Sequence, residues 1–519
     1  MLEEFETALK KTLNKENVLT ENGAVGYKTS GSPLVDFNFK MSSYRSKELS
    51  EIMSDFADAF NYDPVNAVKL LFFAGDVRQG MGERRVFKAG LAWLAKFHKD
   101  YCDAVIPLIA EYGRWDYVVD MLGTGCDKKA WSVIQSQFDS DMEHLGKGEP
   151  VSLLAKWLPS VNASNKESNL LGKRIAKRMM IKERMYRKML SNLRRRIDVV
   201  EKKMSAGNWS EINYNGVPSK ANILYRNAFL KHDECRRKEY LDALTQNDGT
   251  AKINSSVAFP HDIVSSYENL GNIDPALEAM WKALPDYTNG QGGNVICMVD
   301  GSGSMGTCIG RTSVSAHAVA RSLGIYFSER LGGAFKDKYI TFSRNPKLVK
   351  LSKCNSLYEK IEECRRHDEC ENTDIEKAFD LILRSAIDNS LKQEQIPGTV
   401  LVMSDMEFDS SCYLRTPNSW YSDDVRFASG EKTLFEEMAE KYKRHGYRLP
   451  RLVFWNINSR SCAVPIQENE LGVALVSGFS PSIASMVLSG KFTPEEVLMD
   501  KLNSERYEPV GKALAESGL

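Results

Sequence analysis

Three oxygen-bearing side chains lie at alternate positions directly after an apolar, strand-like stretch. Residues 295–306 read VICMVDGSGSMG, so Asp300, Ser302 and Ser304 are spaced two apart with glycines between them. In extended backbone, side chains at i, i+2 and i+4 point the same way, and glycines permit the tight turn that follows. Carboxylate and hydroxyl oxygens are hard ligands, which suit Mg²⁺ or Mn²⁺ rather than zinc.

Two other stretches bring ligands of the same kind. TVLVMSDM, at residues 399–406, ends a second predicted strand near Asp405, and Thr373 opens the predicted helix TDIEKAF. Open α/β sheets bind ligands outside the carboxyl ends of their strands. We therefore predict one divalent-cation site made by Asp300, Ser302, Ser304, Thr373 and Asp405. Mg²⁺ keeps several waters, so this site leaves a position open for an acidic group of a protein partner.

The elements that position these residues belong to the second half of the chain. Helical apolar spacing dominates from about residue 46 to 285, whereas strands and helices alternate after the loop LPDYTNGQGG. We predict an all-α, HEAT-like helical-repeat domain over residues 1–285. An α/β, doubly wound, Rossmann-like domain with a parallel sheet follows over 286–490, and a helical extension over 491–519.

Composition places the chain among ordinary globular proteins. Its 519 residues are 42% hydrophobic and 27% charged, with a net charge of zero, and no apolar run is long enough for a membrane span. The start, MLEEFETALKK, lacks the features of a signal peptide, so we expect a cytoplasmic protein. The ten cysteines are scattered, as expected of reduced thiols. Cys364, His367 and Cys370 supply three soft ligands without a fourth, and a plain charged loop is the favoured interpretation.

A basic block lies within this neutral chain. Residues 151–250 hold 21 Lys plus Arg against 10 Asp plus Glu. Projected as one helix, residues 173–203 place apolar side chains on one face and a positive stripe about 40 Å long on the other. The stripe is made by Lys173, Lys177, Arg184, Arg187, Lys188, Arg194, Arg195 and Lys202.

Two interpretations of the stripe remain open. Phosphates of a nucleic acid are its natural counterpart, because each neutralised phosphate releases counterions. Alternatively, the stripe is a solvated face or docks onto acidic neighbours in residues 100–150. A second anion site is predicted at DVRQGMGERRVF, where Arg78, Arg84 and Arg85 flank two glycines before a helix start. Glycines that merely allow the turn are the alternative there.

Enzymatic activity is not expected. Phosphatases of the haloacid dehalogenase type also place an aspartate after a buried strand, but they need a second acid two residues later, where this chain has Ser302. The sequence contains neither a GxSxG elbow nor a GxxxxGK[ST] phosphate loop.

The five predicted ligands resemble the metal-ion-dependent adhesion site of von Willebrand factor A domains, whose motif is DxSxS with a distant Thr and Asp. A helical domain followed by an A domain resembles the Ro ribonucleoprotein architecture, TROVE plus A domain. Stretches such as DVRQGMGERR, EYGRWDYV, YRKMLSNLRRRIDVVE and NWSEINYNGVPSKA are similar to an uncharacterised Ro-like family. This resemblance implies binding of small structured or misfolded RNA by the helical domain. The alternative is a metal-dependent protein-interaction scaffold without nucleic acid.

Overall fold

The computed structural model describes residues 17–197, 199–246, 249–268, 270–288, 293–310, 312–342, 345–367, 374–409, 433–467, 469–488 and 490–519. Before residue 290 their regular elements are nearly all helices, and after it they form a sheet with helices packed on it. Among these residues, no helix has the length and apolarity that crossing a bilayer requires. The eight cysteines that the structure describes form no disulfide bond with one another.

The helical part follows a short hairpin of strands β1 (Asn17–Leu19) and β2 (Val25–Tyr27). Its helices are α1 (Pro33–Phe39), α2 (Leu49–Tyr62), α3 (Pro64–Gly75), α4 (Arg84–Phe97), α5 (Lys99–Val105), α6 (Ile109–Tyr112), α7 (Trp115–Val119), α8 (Asp127–Lys147), α9 (Leu154–Trp157), α10 (Lys166–Arg178), α11 (Glu183–Arg196), α12 (Val200–Ser205), α13 (Ser219–His232), α14 (Glu234–Gln246), α15 (Pro260–Ser266) and α16 (Pro275–Lys282).

The described residues of the sheet part form six strands. They are β3 (Val295–Asp300), β4 (Lys338–Phe342), β5 (Leu348–Lys350), β6 (Thr399–Ser404), β7 (Arg451–Asn456) and β8 (Val473–Ser477). Its helices are α17 (Ala316–Arg330), α18 (Leu357–Arg365), α19 (Ile375–Asp388), α20 (Leu434–Arg444), α21 (Ala484–Leu488), α22 (Pro494–Leu502) and α23 (Glu508–Glu516).

The strand order is β5-β4-β3-β6-β7-β8. β3, β4, β6, β7 and β8 are parallel, whereas the edge strand β5 runs antiparallel to β4. The predicted parallel sheet is therefore confirmed for these five strands. β5 departs from it, because the short connection from β4 to β5 allows only an antiparallel return. Every residue of β3, β7 and β8 is buried, so both faces of the central sheet are covered.

The strand order changes direction at β3. From β3 the chain first builds outward through β4 and β5, and then returns to the other side of β3 with β6. A crevice forms at such a switch point, outside the carboxyl ends of the two central strands. The predicted ligands Asp300 and Asp405 both lie at this place.

The segment before α2 packs on the sheet part, and the last two helices pack on the helical part. Tyr27 of β2 exchanges backbone hydrogen bonds of 2.8 Å with Val464, and the turn after α1 bonds through Ser42 to the last residues of β7 and β8. In return, α22 and α23 pack on helices of the first half, where Arg506 pairs with Asp76 at 2.8 Å. One continuous apolar core therefore includes residues from both halves.

Candidate metal centre and candidate nucleic-acid surface

Strands β3 and β6 place the two carboxylates side by side. They are parallel neighbours paired through Val299 and Met403, so Asp300 lies opposite Ser404, and Asp405 follows directly. The hydroxyl of Ser404 donates to Oδ2 of Asp300 at 2.6 Å. Asp300 and Asp405 are both buried. The sequence motif did not include Ser404, although its position before Asp405 on the same strand would have suggested it.

The serines of the motif lie on the turn after β3. The backbone N–H of Ser302 donates to Oδ1 of Asp300 at 2.9 Å, and the hydroxyls of Ser302 and Ser304 lie 3.0 Å apart. A short 3₁₀ turn over Gly303–Gly306 follows, with Met305 buried beneath it. Neither serine caps the next helix, α17, which is capped by Ser315, whose hydroxyl accepts from the amide of Ala318.

Burial and mutual repulsion govern the electrostatics of this cluster. Burial raises the pKa of Asp300, and the negative charge of Asp405 raises it further, against hydrogen bonds from Ser404 and Ser302. Burial likewise raises the pKa of Asp405, while a hydrogen bond from Ser304 and the charge of Arg460 lower it. A cation between the two carboxylates would relieve this repulsion.

The donor set fits a hard divalent ion. Four described residues of the motif offer only carboxylate and hydroxyl oxygens, which match the preference of Mg²⁺ and Mn²⁺. The fifth predicted ligand, Thr373, lies outside the described residues. We call Asp300, Ser302, Ser304, Ser404 and Asp405 the strand-end cluster.

The other metal pattern of the sequence gains no support. Among the residues that the structure describes, no group of three or more His, Cys, Asp or Glu is arranged to hold a metal ion. His367 lies with Nε2 3.3 Å from Oε1 of Glu363, Cys364 is buried, and Cys370 lies outside the described residues.

Two residues beside the strand-end cluster were missed from the sequence. The guanidinium of Arg460 places Nη2 3.3 Å from Oδ2 of Asp405. The buried carboxylate of Glu407 accepts from the amides of Arg460 and Ser461 at 2.7 and 2.8 Å. Its other oxygen accepts from the amide of Glu21 at 2.8 Å. Glu407 lies two residues after Asp405, so the sequence could have suggested it. Arg460 is distant from Asp405 in the sequence, and only the fold brings the two together.

The basic stripe is not one helix. The continuous helix predicted for residues 173–203 is wrong, because α10 ends at Arg178, α11 spans Glu183–Arg196 and α12 begins at Val200. Met180 adopts a left-handed backbone with φ of 56°, and the amide of Ile181 bonds back to the carbonyl of Ala176. This is the capping geometry that ends helices, formed here without glycine.

The predicted apolar face is nevertheless turned inward. Its eight members are buried or half-buried: Ile175, Met179, Tyr186, Leu190, Leu193, Ile197, Val200 and Met204. The opposite side carries exposed cations on α10, α11 and the turn between them. We call this set the basic face: Lys173, Arg174, Lys177, Lys182, Arg184, Arg187, Lys188 and Arg195.

No side chain of the basic face forms an ion pair or hydrogen bond with a residue that the structure describes. The alternative, docking onto acids in residues 100–150, applies to a neighbour of the basic face: Arg178 of α10 pairs with Asp127 at 2.7 Å. The basic face itself is therefore open to an outside anion.

Two other residues predicted to contact RNA, Arg194 and Lys202, form hydrogen bonds within the protein. The guanidinium of Arg194 donates to the carbonyls of Ala155 and Leu158 and to the hydroxyl of Ser160, at 2.7 to 2.8 Å. Lys202 is exposed and donates to the carbonyl of Arg195 at 3.1 Å. Arg194 thus anchors α11 to the chain around α9 rather than facing an outside ligand.

The loop over residues 76–85, DVRQGMGERR, which we call the glycine-arginine loop, is likewise built into the fold. Gly82 has a φ of +70°, and a Cβ on Gly80 would lie 2.1 Å from the carbonyl oxygen of Phe73. The amides of residues 81–84 donate to backbone carbonyls of the chain. These four amides therefore already have partners within the fold, and the anion site proposed for this loop stays a prediction.

The three arginines of this loop differ in their surroundings. Arg78 donates to the carbonyl of Glu111 at 2.7 Å, and Arg85 donates to that of Tyr44 at 2.7 Å. Arg84 is exposed and makes no side-chain bond with a described residue. It borders a cavity of about 840 Å³ between α4 and α7. Of the three, Arg84 presents its charge most freely.

Comparison with other proteins matches both halves of the chain. The domain of unknown function DUF2828 matches residues 20–101 and 132–305, and the domain of unknown function DUF7788 matches residues 294–514. The uncharacterized protein L728 of Acanthamoeba polyphaga mimivirus is 30% identical over 532 residues, which cover 95% of this chain and 88% of that protein. The crystal structure of the Ro (RSR) protein of Deinococcus radiodurans covers 93% of this chain and 100% of its own, with 12% identity and a TM-score of 0.38.

Proposed function

We propose that this chain, which belongs to the same family as the L728 protein of Acanthamoeba polyphaga mimivirus, is an RNA-binding protein whose sheet domain holds a divalent cation. RNA contacts the basic face of α10 and α11. Mg²⁺ or Mn²⁺ is held by Asp300, Ser302, Ser304 and Asp405, with Thr373 as the fifth ligand implied by the sequence motif. The resemblance of the sequence to Ro proteins agrees with this assignment.

The observation that carries the proposal is the set of eight exposed cations that form no ion pair with a described residue. Surface cations elsewhere on this chain commonly have an acidic partner one helical turn away, as Lys99 has Asp103 and Lys238 has Glu234. On the basic face, like charges stand together and repel one another. A polyanion removes that repulsion and gains entropy from the counterions it releases.

The cation site adds a protein partner to this function. A bound Mg²⁺ supplies an open coordination position for an acidic side chain of another protein. Ser404 and the amide of Ser302 orient the carboxylate of Asp300, and Ser304 supports that of Asp405. These contacts hold the ligands in place before the ion arrives, which lowers the entropic cost of binding it.

The test compares two variants with the same change in net charge. Lys177→Gln, Arg184→Gln, Arg187→Gln and Lys188→Gln together remove four charges of the basic face. The control carries Lys99→Gln, Lys147→Gln, Lys238→Gln and Lys512→Gln, whose cations are each paired with a carboxylate four residues away. Affinity for a labelled structured RNA is measured at several salt concentrations.

We expect the first variant to lose about 100-fold in affinity at low salt, with the slope of log K against log salt reduced by about 3 to 4. The control keeps the wild-type slope. Equal losses in both variants, or no RNA binding by the wild type, contradict the proposal. Retention of a protein instead of RNA, dependent on Mg²⁺ and lost in Asp300→Ala, favours the scaffold alternative.

A further inference from the structure

A single guanidinium bridges the strand-end cluster and the N-terminal hairpin. Nη2 of Arg460 lies 3.3 Å from Oδ2 of Asp405 and 3.0 Å from Oε2 of Glu21. The Asp405 side chain is 2% exposed, whereas that of Glu21 is 51% exposed. Arg460 therefore has one buried and one solvated carboxylate partner, reached through the same nitrogen.

The main chain on both sides of this bridge is fixed. Oε1 of Glu407 accepts from the amides of Arg460 and Ser461 and from the hydroxyl of Ser461, all within 3.0 Å. Oε2 of the same carboxylate accepts from the amide of Glu21. Because one buried group holds both segments, the Arg460 side chain can move between Asp405 and Glu21 without movement of either backbone.

We propose that Arg460 is the built-in counter-ion of the cation site, which a divalent ion must displace from Asp405. This inference rests on the proposed function, since it assumes that Asp405 binds the ion. With no ion bound, the guanidinium neutralises part of the charge of the two buried carboxylates. When the ion binds, Arg460 retains Glu21 as its partner.

The physical reason is the repulsion between two cations at one carboxylate. A guanidinium cannot lose its proton in a protein, so it cannot relieve the repulsion by becoming neutral. A divalent ion close to Asp405 and a guanidinium 3.3 Å from the same carboxylate oxygen repel one another strongly in a site of low dielectric. Arg460 thus weakens the site for its ion, and Glu21 offsets part of that weakening.

The two partners of Arg460 lead to opposite expectations. Arg460→Gln removes the competing cation, so Mn²⁺ binds about tenfold more tightly than to the wild type. Glu21→Gln removes the alternative partner, so Arg460 stays on Asp405 and Mn²⁺ binds about threefold more weakly. The amide of Glu21 that bonds to Glu407 remains in this variant. Arg460→Lys keeps the charge and stays near the wild-type affinity.

The Mn²⁺ affinity of the full-length chain is measured by isothermal titration calorimetry. It is measured independently by the loss of the electron paramagnetic resonance signal of free Mn²⁺. The matched control is Arg444→Gln, an exposed arginine of α20 that pairs with Glu440 and lies outside the cluster. It leaves the affinity unchanged. Melting curves in EDTA confirm that each variant is folded, and Glu21→Gln tests the inference even where Arg460→Gln does not fold.

The outcomes separate the two proposals. Mn²⁺ binding that Asp300→Ala abolishes, but that is equal or weaker in Arg460→Gln, overturns the counter-ion role while the cation site stands. No Mn²⁺ binding by the wild type and by Arg460→Gln overturns the cation site and this inference together.

Discussion

On the basic face, eight positive side chains stand in solvent, and none has a partner among the described residues. At the ends of β3 and β6, two carboxylates are buried, and each one accepts hydrogen bonds from neighbouring serines or amides. Solvated charge costs little to maintain and attracts partners over the distance of a Debye length. Buried charge is expensive unless it is compensated, and a small cation is one way to compensate it.

Each region therefore suits a different kind of ligand. A broad solvated face matches an extended polyanion, whose affinity depends on salt. A small buried cluster of oxygens matches one ion of defined size and geometry. Within the basic block, however, Arg194 belongs to the buried kind, since its guanidinium donates to three fixed oxygens.

The largest change in stability is expected at Arg194, a half-buried arginine that lies next to the exposed Arg195 on α11. Arg194→Ala leaves the carbonyls of Ala155 and Leu158 without their donor, so the free energy of unfolding falls by about 2 to 4 kcal/mol. Arg195→Ala, on the exposed side of the same helix, changes it by less than about 0.5 kcal/mol. Urea denaturation of both variants checks this pair. Equal stabilities of the two variants would contradict the distinction between buried and solvated charge, because Arg194 would then also be a solvated charge.

A second buried ionisable group, the imidazole of His261, lies outside the strand-end cluster. His261 of α15 is buried between the rings of Phe259 and Phe479, and its Nδ1 has no hydrogen-bond partner among the residues that the structure describes. Burial lowers the pKa of His261 to about 4, and the charges of Arg45 and Lys220 act in the same direction. Here the fold buries an ionisable ring by keeping it neutral.

The direction of the pH effect follows from that lowered pKa. The unfolded chain takes up the proton near pH 6.5 and the folded chain only near pH 4. Stability contributed by neutral His261 is therefore complete above about pH 6.5 and is lost as the pH falls toward 4, by at most about 1.4 kcal/mol per pH unit. His261→Phe removes this slope, measured by urea denaturation at several pH values. His445→Phe, at an exposed position, keeps it, and a slope that persists in His261→Phe contradicts the assignment.

The sequence predicted those parts of the molecule that local pattern controls. Apolar runs ending in Asp300 and near Asp405 indicated two strands, and parallel pairing at a switch point brings their ends together whatever the rest of the chain does. The inward face of α10 and α11 was also predicted, because the spacing of apolar residues continues across the break at Met180. The break itself has no glycine or proline to mark it.

Features set by tertiary contacts were not predicted. Arg460 and Glu21 are separated from Asp405 by long stretches of chain. The pairing of β7 with β6 brings Arg460 to Asp405, and the packing of the hairpin on the loop after β7 brings Glu21 to Arg460. The same holds for Arg194, since no periodicity distinguishes an arginine that meets carbonyls of a neighbouring turn from one that meets water. The edge strand β5 was missed because three residues carry too little pattern.

The smallest effect expected tests one cation at a time on the solvated side. Arg187→Ala removes an unpaired charge of the basic face, so RNA affinity falls about two- to fivefold and the salt slope falls by about 1. Arg178→Ala, nearby on α10, removes a charge that Asp127 already neutralises at 2.7 Å and that stacks on Trp131. Its RNA affinity and slope therefore stay near those of the wild type. If the paired arginine matters as much as the unpaired one, total charge rather than the open face controls binding, and the contrast between solvated and compensated charge does not extend to function.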